Sequence, residues 1–113
     1  MPLIKIETNQ ALPEDTAALL RQASAAVAGM LGKPESYVMV SLTHNPHMSF
    51  AGSSAPLAYV ELKSLGLPEP RTPGLSATLC EFLEAHLEIP AERVYIEFSG
   101  PERHLWGWNS ATF

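Results

Sequence analysis

The two halves of the chain carry the same pattern of apolar residues, displaced by 56 positions. Pro34 corresponds to Pro90 at this displacement, and Val27 corresponds to Leu83. The other apolar pairs related in this way are Ile4 and Val60, Ile6 and Leu62, Leu31 and Leu87, Val38 and Val94, Val40 and Ile96, and Leu42 and Phe98. Because the pairs keep one order and one spacing, the sequence predicts a single domain over 1–113, built from pseudo-repeats at about 1–56 and 57–113.

The first half predicts a helix between two strands. The segments "PLIKIET" and "YVMVSLT" have the composition of strands, and a helix is expected between them from Pro13 to Leu31. Pro13 suits the first helical turn, and Gly32 suits the helix end. The apolar stripe of this helix is expected to consist of Leu20, Ala23, Val27 and Leu31.

The second half predicts the same arrangement. A helix is expected from about Pro73 to Leu87, between the strand segments "LAYVELKSL" and "RVYIEFS". Thr72 followed by Pro73 is typical of an N-cap and a first helical turn. The buried stripe of this helix is expected to contain Leu75, Leu79, Phe82, Leu83 and His86.

The lengths of these connections favour an α/β fold. A crossover through a helix joins parallel strands, so the two β-α-β units predict a four-stranded mixed sheet with two helices on one face. Alternation along "RVYIEF" places Val94, Ile96 and Phe98 towards the helices and Arg93, Tyr95 and Glu97 on the other face. Because no other segment of the chain is expected to cover that second face, we predict that the protein forms an oligomer. The aromatic tail "HLWGWNSATF" is expected to pack against a neighbouring subunit.

Charge and composition exclude several classes of protein. The net charge is −5, and the seven Lys and Arg residues are scattered singly, which argues against a nucleic-acid surface. No apolar run approaches the roughly 20 residues of a membrane span. Lys5 and Glu7 interrupt the early apolar stretch, so no secretory signal is expected and the predicted location is the cytoplasm.

The sequence predicts no metal site. His44 and His47 flank a proline without a third candidate ligand nearby, and they are expected to be surface residues. Cys80 stands alone, which rules out an intramolecular disulfide, and it is expected to be a core residue.

Pro2 has two interpretations. A proline costs little as the first residue of a strand, because its missing N–H is not needed there. Alternatively, removal of Met1 would leave a free secondary amine at the chain terminus, which is both a base and a nucleophile.

An ordered set of motifs accompanies Pro2. These motifs are "GKP", "FAGSSAP", "KSLG", "RVYIEF" and the ending "GWN…TF". Together they resemble the macrophage migration inhibitory factor and D-dopachrome tautomerase branch of the tautomerase superfamily, along essentially the whole chain. The resemblance implies a tautomerase-type homotrimer whose three sheets enclose a central channel, which would cover the second sheet face.

The resemblance also implies an activity and a site. It implies an isomerase that interconverts keto and enol forms of small aromatic α-keto acids such as phenylpyruvate, or dopachrome-type compounds, without a cofactor. Pro2 would be the catalytic base, and Lys33 in "GKP" would hold the carboxylate of the substrate. Ser64 and the backbone amide of Leu65, in "KSLG", match a site for a substrate oxygen or carboxylate, and Tyr95 would line the pocket from an adjacent subunit.

The proton transfer is physically reasonable for these residues. Abstraction of a proton next to a carbonyl at neutral pH needs an unprotonated base with a pKa near the working pH. Burial lowers the pKa of an amine, and so does a neighbouring cation such as Lys33. A shift of two pKa units requires roughly 2.7 kcal/mol, which one partly buried pocket can supply.

Four positions depart from the family pattern. Glu97 replaces an asparagine, and a carboxylate there would favour protonated Pro2 unless Lys33 or Arg93 neutralises it. Trp106 is bulkier than the usual aliphatic residue at the pocket mouth. Leu57 and Val60 occupy the positions of a Cys-x-x-Cys pair, so thiol oxidoreductase activity is expected to be absent.

A non-enzymatic alternative stays open. The same fold could serve as a trimeric, cytokine-like binding or signalling protein with vestigial tautomerase activity, whose receptor the sequence does not name. The state of Met1 discriminates between the two, because Pro2 nitrogen is a tertiary amide without basicity while Met1 is attached.

Overall fold

The computed structural model describes all 113 residues, and it contains a four-stranded sheet with two helices. The elements are β1 (Pro2–Thr8), α1 (Thr16–Leu31), β2 (Met39–His44), β3 (Ala58–Ser64), α2 (Thr72–Leu87), β4 (Val94–Ser99) and the short strands β5 (Gly107–Trp108) and β6 (Ala111–Thr112). The sheet order is β2-β1-β3-β4, parallel within each half and antiparallel between β1 and β3. The predicted mixed sheet is therefore confirmed.

The duplication seen in the sequence holds residue by residue in the structure. A displacement of 56 positions carries β1 onto β3 and α1 onto α2 without any adjustment of their ends. The buried helix positions correspond in the same way: Leu19, Ala23, Val27 and Leu31 in α1, and Leu75, Leu79, Leu83 and Leu87 in α2. They pack on apolar residues of the central strands β1 and β3 to form one core.

Three residues expected in the buried stripes lie outside them, and one of these, Phe82, is partly buried and packs against the core. Leu20 is only partly buried, because the stripe of α1 repeats every four residues from Leu19. His86 is exposed, and its ring lies 4.4 Å from that of Phe82 on the flank of α2. Cys80 is partly buried rather than a core residue, and this burial raises the pKa of its thiol.

Both helices begin differently from the prediction. Helix α1 begins at Thr16, because the Asp15 carboxylate accepts a hydrogen bond from Ala18 N at 3.0 Å and caps the first turn. Pro13 therefore lies before the helix. Thr72 is already helical and is not a cap, since a turn of 3₁₀ helix leads into α2 and the Thr72 hydroxyl donates to the Glu69 carbonyl at 3.0 Å.

The second face of the sheet carries polar and aromatic side chains that no element of the chain covers. On β4, Tyr95 is 67% exposed and Glu97 is also exposed, whereas Ile96 between them packs against the core. The outer strands β2 and β4 each leave one edge without a neighbouring strand. Met39 on the β2 edge is 66% exposed. Neither helix is long and apolar enough to cross a membrane.

The tail packs on its own protomer. Strands β5 and β6 form a small hairpin, and the ring of Trp108 lies 5.7 Å from that of Tyr37 and 5.8 Å from that of Phe113. Trp108 is still 53% exposed, so packing of the tail aromatics on a neighbouring subunit stays a prediction.

Candidate active site

One cavity, of about 480 Å³, lies where β1 begins and β3 ends. Its lining residues are Met1, Lys33, Pro34, Tyr37, Leu65, Gly66, Arg103 and Phe113. We call it the cationic cavity, because Lys33 and Arg103 supply the charges of its lining side chains and no acidic side chain lines it.

Lys33 and Leu65 are brought together by two chain reversals. Lys33 follows Gly32, whose positive φ of 64° ends α1. Leu65 follows β3 and precedes Gly66, which also has a φ of 64°. A Cβ on Gly66 would lie 3.7 Å from Lys33 Nζ, so the turn that bears Leu65 lies beside the lysine.

The amide of Leu65 is available to a ligand, whereas the side chain of Ser64 is not. The Leu65 N–H has no backbone acceptor within the protomer. Ser64 is fully buried, and its hydroxyl donates to the Leu65 carbonyl at 3.1 Å. Ser64 therefore lines no cavity in the protomer, and its hydroxyl helps to fix the Leu65 peptide.

A second concavity, the aromatic groove, adjoins the first at Met1 and Tyr37. It has a volume of about 290 Å³. Its lining residues are Met1, Pro2, Leu3, Ser36, Tyr37, Val38, Met39, Trp106, Gly107 and Trp108. Pro2 is buried and lines the aromatic groove with Trp106, and Met1, the residue before it, also lines the cationic cavity.

The electrostatic environment favours a neutral amine at this end of β1. The pKa of the amino terminus at Met1 lies below its ordinary value, chiefly through burial and then through the charges of Lys33 and Arg103. Glu102, the carboxylate next to Arg103 in the sequence, contacts His104 Nδ1 at 3.4 Å instead.

Tyr95 lies towards the other end of the sheet from Pro2, and Glu97 lies in the middle of β4, where it pairs with Glu61. Pro2 pairs with Ser64 on β3, whereas Tyr95 pairs with Tyr59, five residues earlier on the same strand. At 3.3–3.4 Å per residue this separation is about 17 Å. The protomer therefore brings Pro2, Lys33, Leu65 and Trp106 together and leaves Tyr95 and Glu97 apart from them.

The expected neutralisation of Glu97 by Lys33 or Arg93 does not occur within the protomer. The Arg93 guanidinium donates to the carbonyls of Phe50, Ser53, Ala55 and Pro56 at 2.9–3.2 Å, which fixes the loop between β2 and β3. Glu97 instead accepts a hydrogen bond of 2.8 Å from the Tyr59 hydroxyl.

The comparison with known proteins covers the complete chain. A family model described as macrophage migration inhibitory factor (MIF) matches residues 1–113. The chain belongs to the MIF family.

Individual relatives agree with this assignment. The MIF homolog of Brugia malayi is 40% identical over all of this chain and 99% of its own length. The crystal structure of the MIF homologue from Prochlorococcus marinus is 44% identical, covers 98% of both chains and has a TM-score of 0.92. The MIF structure from Trichinella spiralis is 36% identical, with a TM-score of 0.90 over 98% of this chain and 99% of its own.

Three residues of the site in this MIF-family chain were not identified from sequence. Tyr37 and Phe113 line the cationic cavity and hold Trp108 between them. Arg103 contributes the second cation of the cavity. The sequence did contain a signal for Arg103, since it is the one Lys or Arg in the aromatic tail after residue 100.

Proposed function

We propose that the protein is a cofactor-independent tautomerase that interconverts the keto and enol forms of small aromatic α-keto acids such as phenylpyruvate. The observation that carries this proposal is the position of Pro2, in a groove lined with Trp106 and Trp108 that adjoins, at Met1, the cavity that contains Lys33. The cation suits the carboxylate of an aryl α-keto acid, and the aromatic rings of the groove suit its aryl group.

Pro2 is the base in this proposal, once Met1 has been removed. The secondary amine takes a proton from C3 of the keto acid, and the electrons of that C–H bond form the C2=C3 double bond of the enol. The protonated Pro2 then gives this proton to the enolate oxygen, so that the enol is formed and the amine is neutral again. The reverse reaction returns a proton from the Pro2 nitrogen to C3.

Lys33 and Leu65 bind the substrate during this transfer. The ammonium group of Lys33 forms an ion pair with the carboxylate, and it lowers the pKa of the neighbouring amine at the same time. The Leu65 N–H, which has no backbone acceptor, donates to the oxygen on which negative charge develops.

We also propose that three protomers complete three such sites. The uncovered sheet face, the free edges of β2 and β4, and the separation of about 17 Å between Pro2 and Tyr95 support this assembly. In the trimer, Tyr95 and Glu97 of one protomer line the site of the next.

The test combines intact mass spectrometry with a phenylpyruvate ketonisation assay. We expect a mass without Met1, and a Pro2→Gly variant whose kcat/KM is at least about 100-fold lower, since a general base contributes that much. Pro13→Gly, at an exposed proline before α1, is the matched control and keeps full activity.

Two results would contradict the proposal. Equal rates for the wild type and Pro2→Gly would remove Pro2 from the reaction. A mature protein that retains Met1, binds phenylpyruvate and does not turn it over would favour the binding or signalling alternative.

A further inference from the structure

We infer that Arg103 is a second carboxylate-binding residue of the cationic cavity, and that the substrates include short aliphatic α-keto acids with a carboxylate at each end. This inference rests on the proposed tautomerase function, and it names a class of substrate beyond aryl α-keto acids.

The backbone at Arg103 is fixed by the folded tail. Arg103 begins a turn of 3₁₀ helix, in which its carbonyl accepts from Trp106 N at 3.2 Å. The Trp106 carbonyl accepts in turn from Phe113 N at 3.2 Å. These bonds hold the tail against the cavity, so that Arg103 and Phe113 face the same space as Lys33.

Arg103 has no partner within the protomer, in contrast to two other arginines. Arg71 donates to the Met30 carbonyl at 2.7 Å, and Arg93 donates to four loop carbonyls. The guanidinium of Arg103 forms neither a hydrogen bond nor an ion pair, and the nearby Glu102 contacts His104. The guanidinium is therefore free to bind a ligand.

The two cations of the cavity complement two carboxylates. Within the protomer, Lys33 and Arg103 line one cavity without an acidic side chain, so a dianion placed there meets attraction from both. The planar guanidinium binds a carboxylate through two parallel hydrogen bonds. A second carboxylate is disfavoured in the aromatic groove, so the diacid lies in the cationic cavity, with one carboxylate on Lys33 and the other on Arg103.

The experiment compares two keto acids that differ only in the second carboxylate. The probes are 2-oxoglutarate and 2-oxopentanoate, and the reaction is exchange of the C3 protons for deuterium in D₂O, followed by proton NMR. Phenylpyruvate ketonisation is measured in parallel. The variants are Arg103→Ala, Arg103→Lys and, as the matched control for loss of one positive charge, Arg21→Ala on the exposed face of α1.

We expect a loss of kcat/KM that is specific to the diacid. Arg103→Ala lowers kcat/KM for 2-oxoglutarate by about tenfold, the effect of one lost charge-assisted hydrogen bond. For 2-oxopentanoate and phenylpyruvate the change stays within about twofold, because only screened, longer-range charge is lost. Arg103→Lys gives an intermediate loss, and Arg21→Ala gives none.

Three outcomes would overturn the inference. One is an unchanged rate with 2-oxoglutarate, and another is an equal loss for the monoacid and the diacid. The third is full recovery when Glu97→Gln is added to Arg103→Ala, which would show that Arg103 only neutralises Glu97 of a neighbouring protomer.

A binding measurement separates this inference from the proposed function. Isothermal titration of the Pro2→Gly variant with both acids requires no turnover. Tighter binding of 2-oxoglutarate that disappears on Arg103→Ala supports the inference, even if the wild type fails to turn over phenylpyruvate. Equal affinities for the two acids in Pro2→Gly would contradict it.

Discussion

Lys33 shows how single residues distinguish the site from the repeat that contains it. The displacement of 56 positions relates Lys33 to Ile89, which is fully buried beside α2. It likewise relates Pro2 to Ala58, a buried strand residue. The two halves share their core, whereas the proposed base Pro2 and the proposed carboxylate-binding Lys33 have no counterpart of the same kind in the second half. Duplication therefore explains the fold and not the chemistry.

Tyr59 provides a test of the polar contacts on the open sheet face. Its hydroxyl contacts Glu97 at 2.8 Å and Glu61 at 3.2 Å, and these contacts raise the pKa of Tyr59 to about 12, with the Glu97 hydrogen bond as the largest cause. Glu97→Gln replaces the charged acceptor by a neutral amide, so the pKa of Tyr59 should fall towards the ordinary value of 10.0. Titration of the tyrosine ¹³Cζ resonances measures this change.

Glu61→Gln is the matched control for that titration. It removes the same charge at the longer contact, so the pKa of Tyr59 should fall by less. Equal falls in the two variants, or no fall with Glu97→Gln, would show that Tyr59 does not depend on Glu97.

At the scale of elements, the repeat provides paired positions at the ends of the two helices. Gly32 after α1 and Glu88 after α2 are both left-handed, with φ of 64° and 57°. Glycine adopts this conformation without strain, whereas a side chain does not. No atom lies within 4 Å of a Cβ built on Gly32, so a substitution there acts through the backbone alone.

Substitutions at Gly32 and Glu88 should change the free energy of unfolding in opposite directions. Glu88→Gly should raise the free energy of unfolding by about 1 kcal/mol, and Gly32→Ala should lower it by a similar amount. Urea denaturation of both variants and the wild type measures these changes. Destabilisation by Glu88→Gly would mean that the Glu88 side chain makes a stabilising contact that outweighs its backbone strain.

The elements show which local patterns the sequence expresses. The offset between halves predicted the order of strands and helices, because burial against a shared core imposes the same spacing twice. The helix starts were missed, because the proline rule pointed to Pro13 while the side chain that caps the helix belongs to Asp15. His86 was assigned to the stripe because it sits one turn from Phe82, although its exposed flank suits a polar ring.

The whole molecule leaves a large part of its sheet without a cover. We predict a trimer in solution, with three times the 12.3 kDa mass of one chain, measured by light scattering after size-exclusion chromatography. Met39→Glu places a charge on the exposed β2 edge and should weaken association by about tenfold or more. Gln22→Glu, on the exposed side of α1, adds the same charge and should have no effect. A wild-type mass of one chain at all concentrations would contradict the shared site.

The complete fold also explains why part of the site was not predictable. Pro2, Lys33 and Leu65 were found through motifs that are continuous in the sequence. Arg103 required knowledge that the tail folds back onto Tyr37, since 70 residues separate Arg103 from Lys33. The position of Tyr95 relative to Pro2 depends on a neighbouring protomer, which neither one sequence nor one protomer contains.

The proposed tautomerase activity requires the Pro2 nitrogen to be a neutral amine at physiological pH. The most direct test is an NMR titration of the protein labelled with ¹⁵N-proline, in which only a terminal proline amine changes charge. We predict that the Pro2 amine titrates with a midpoint below the ordinary amine value of about 8. In Lys33→Ala the midpoint should be higher, because loss of a neighbouring cation makes protonation easier. A Pro2 nitrogen that stays protonated well above pH 8, or that shows the non-titrating chemical shift of an amide, would contradict its role as the base.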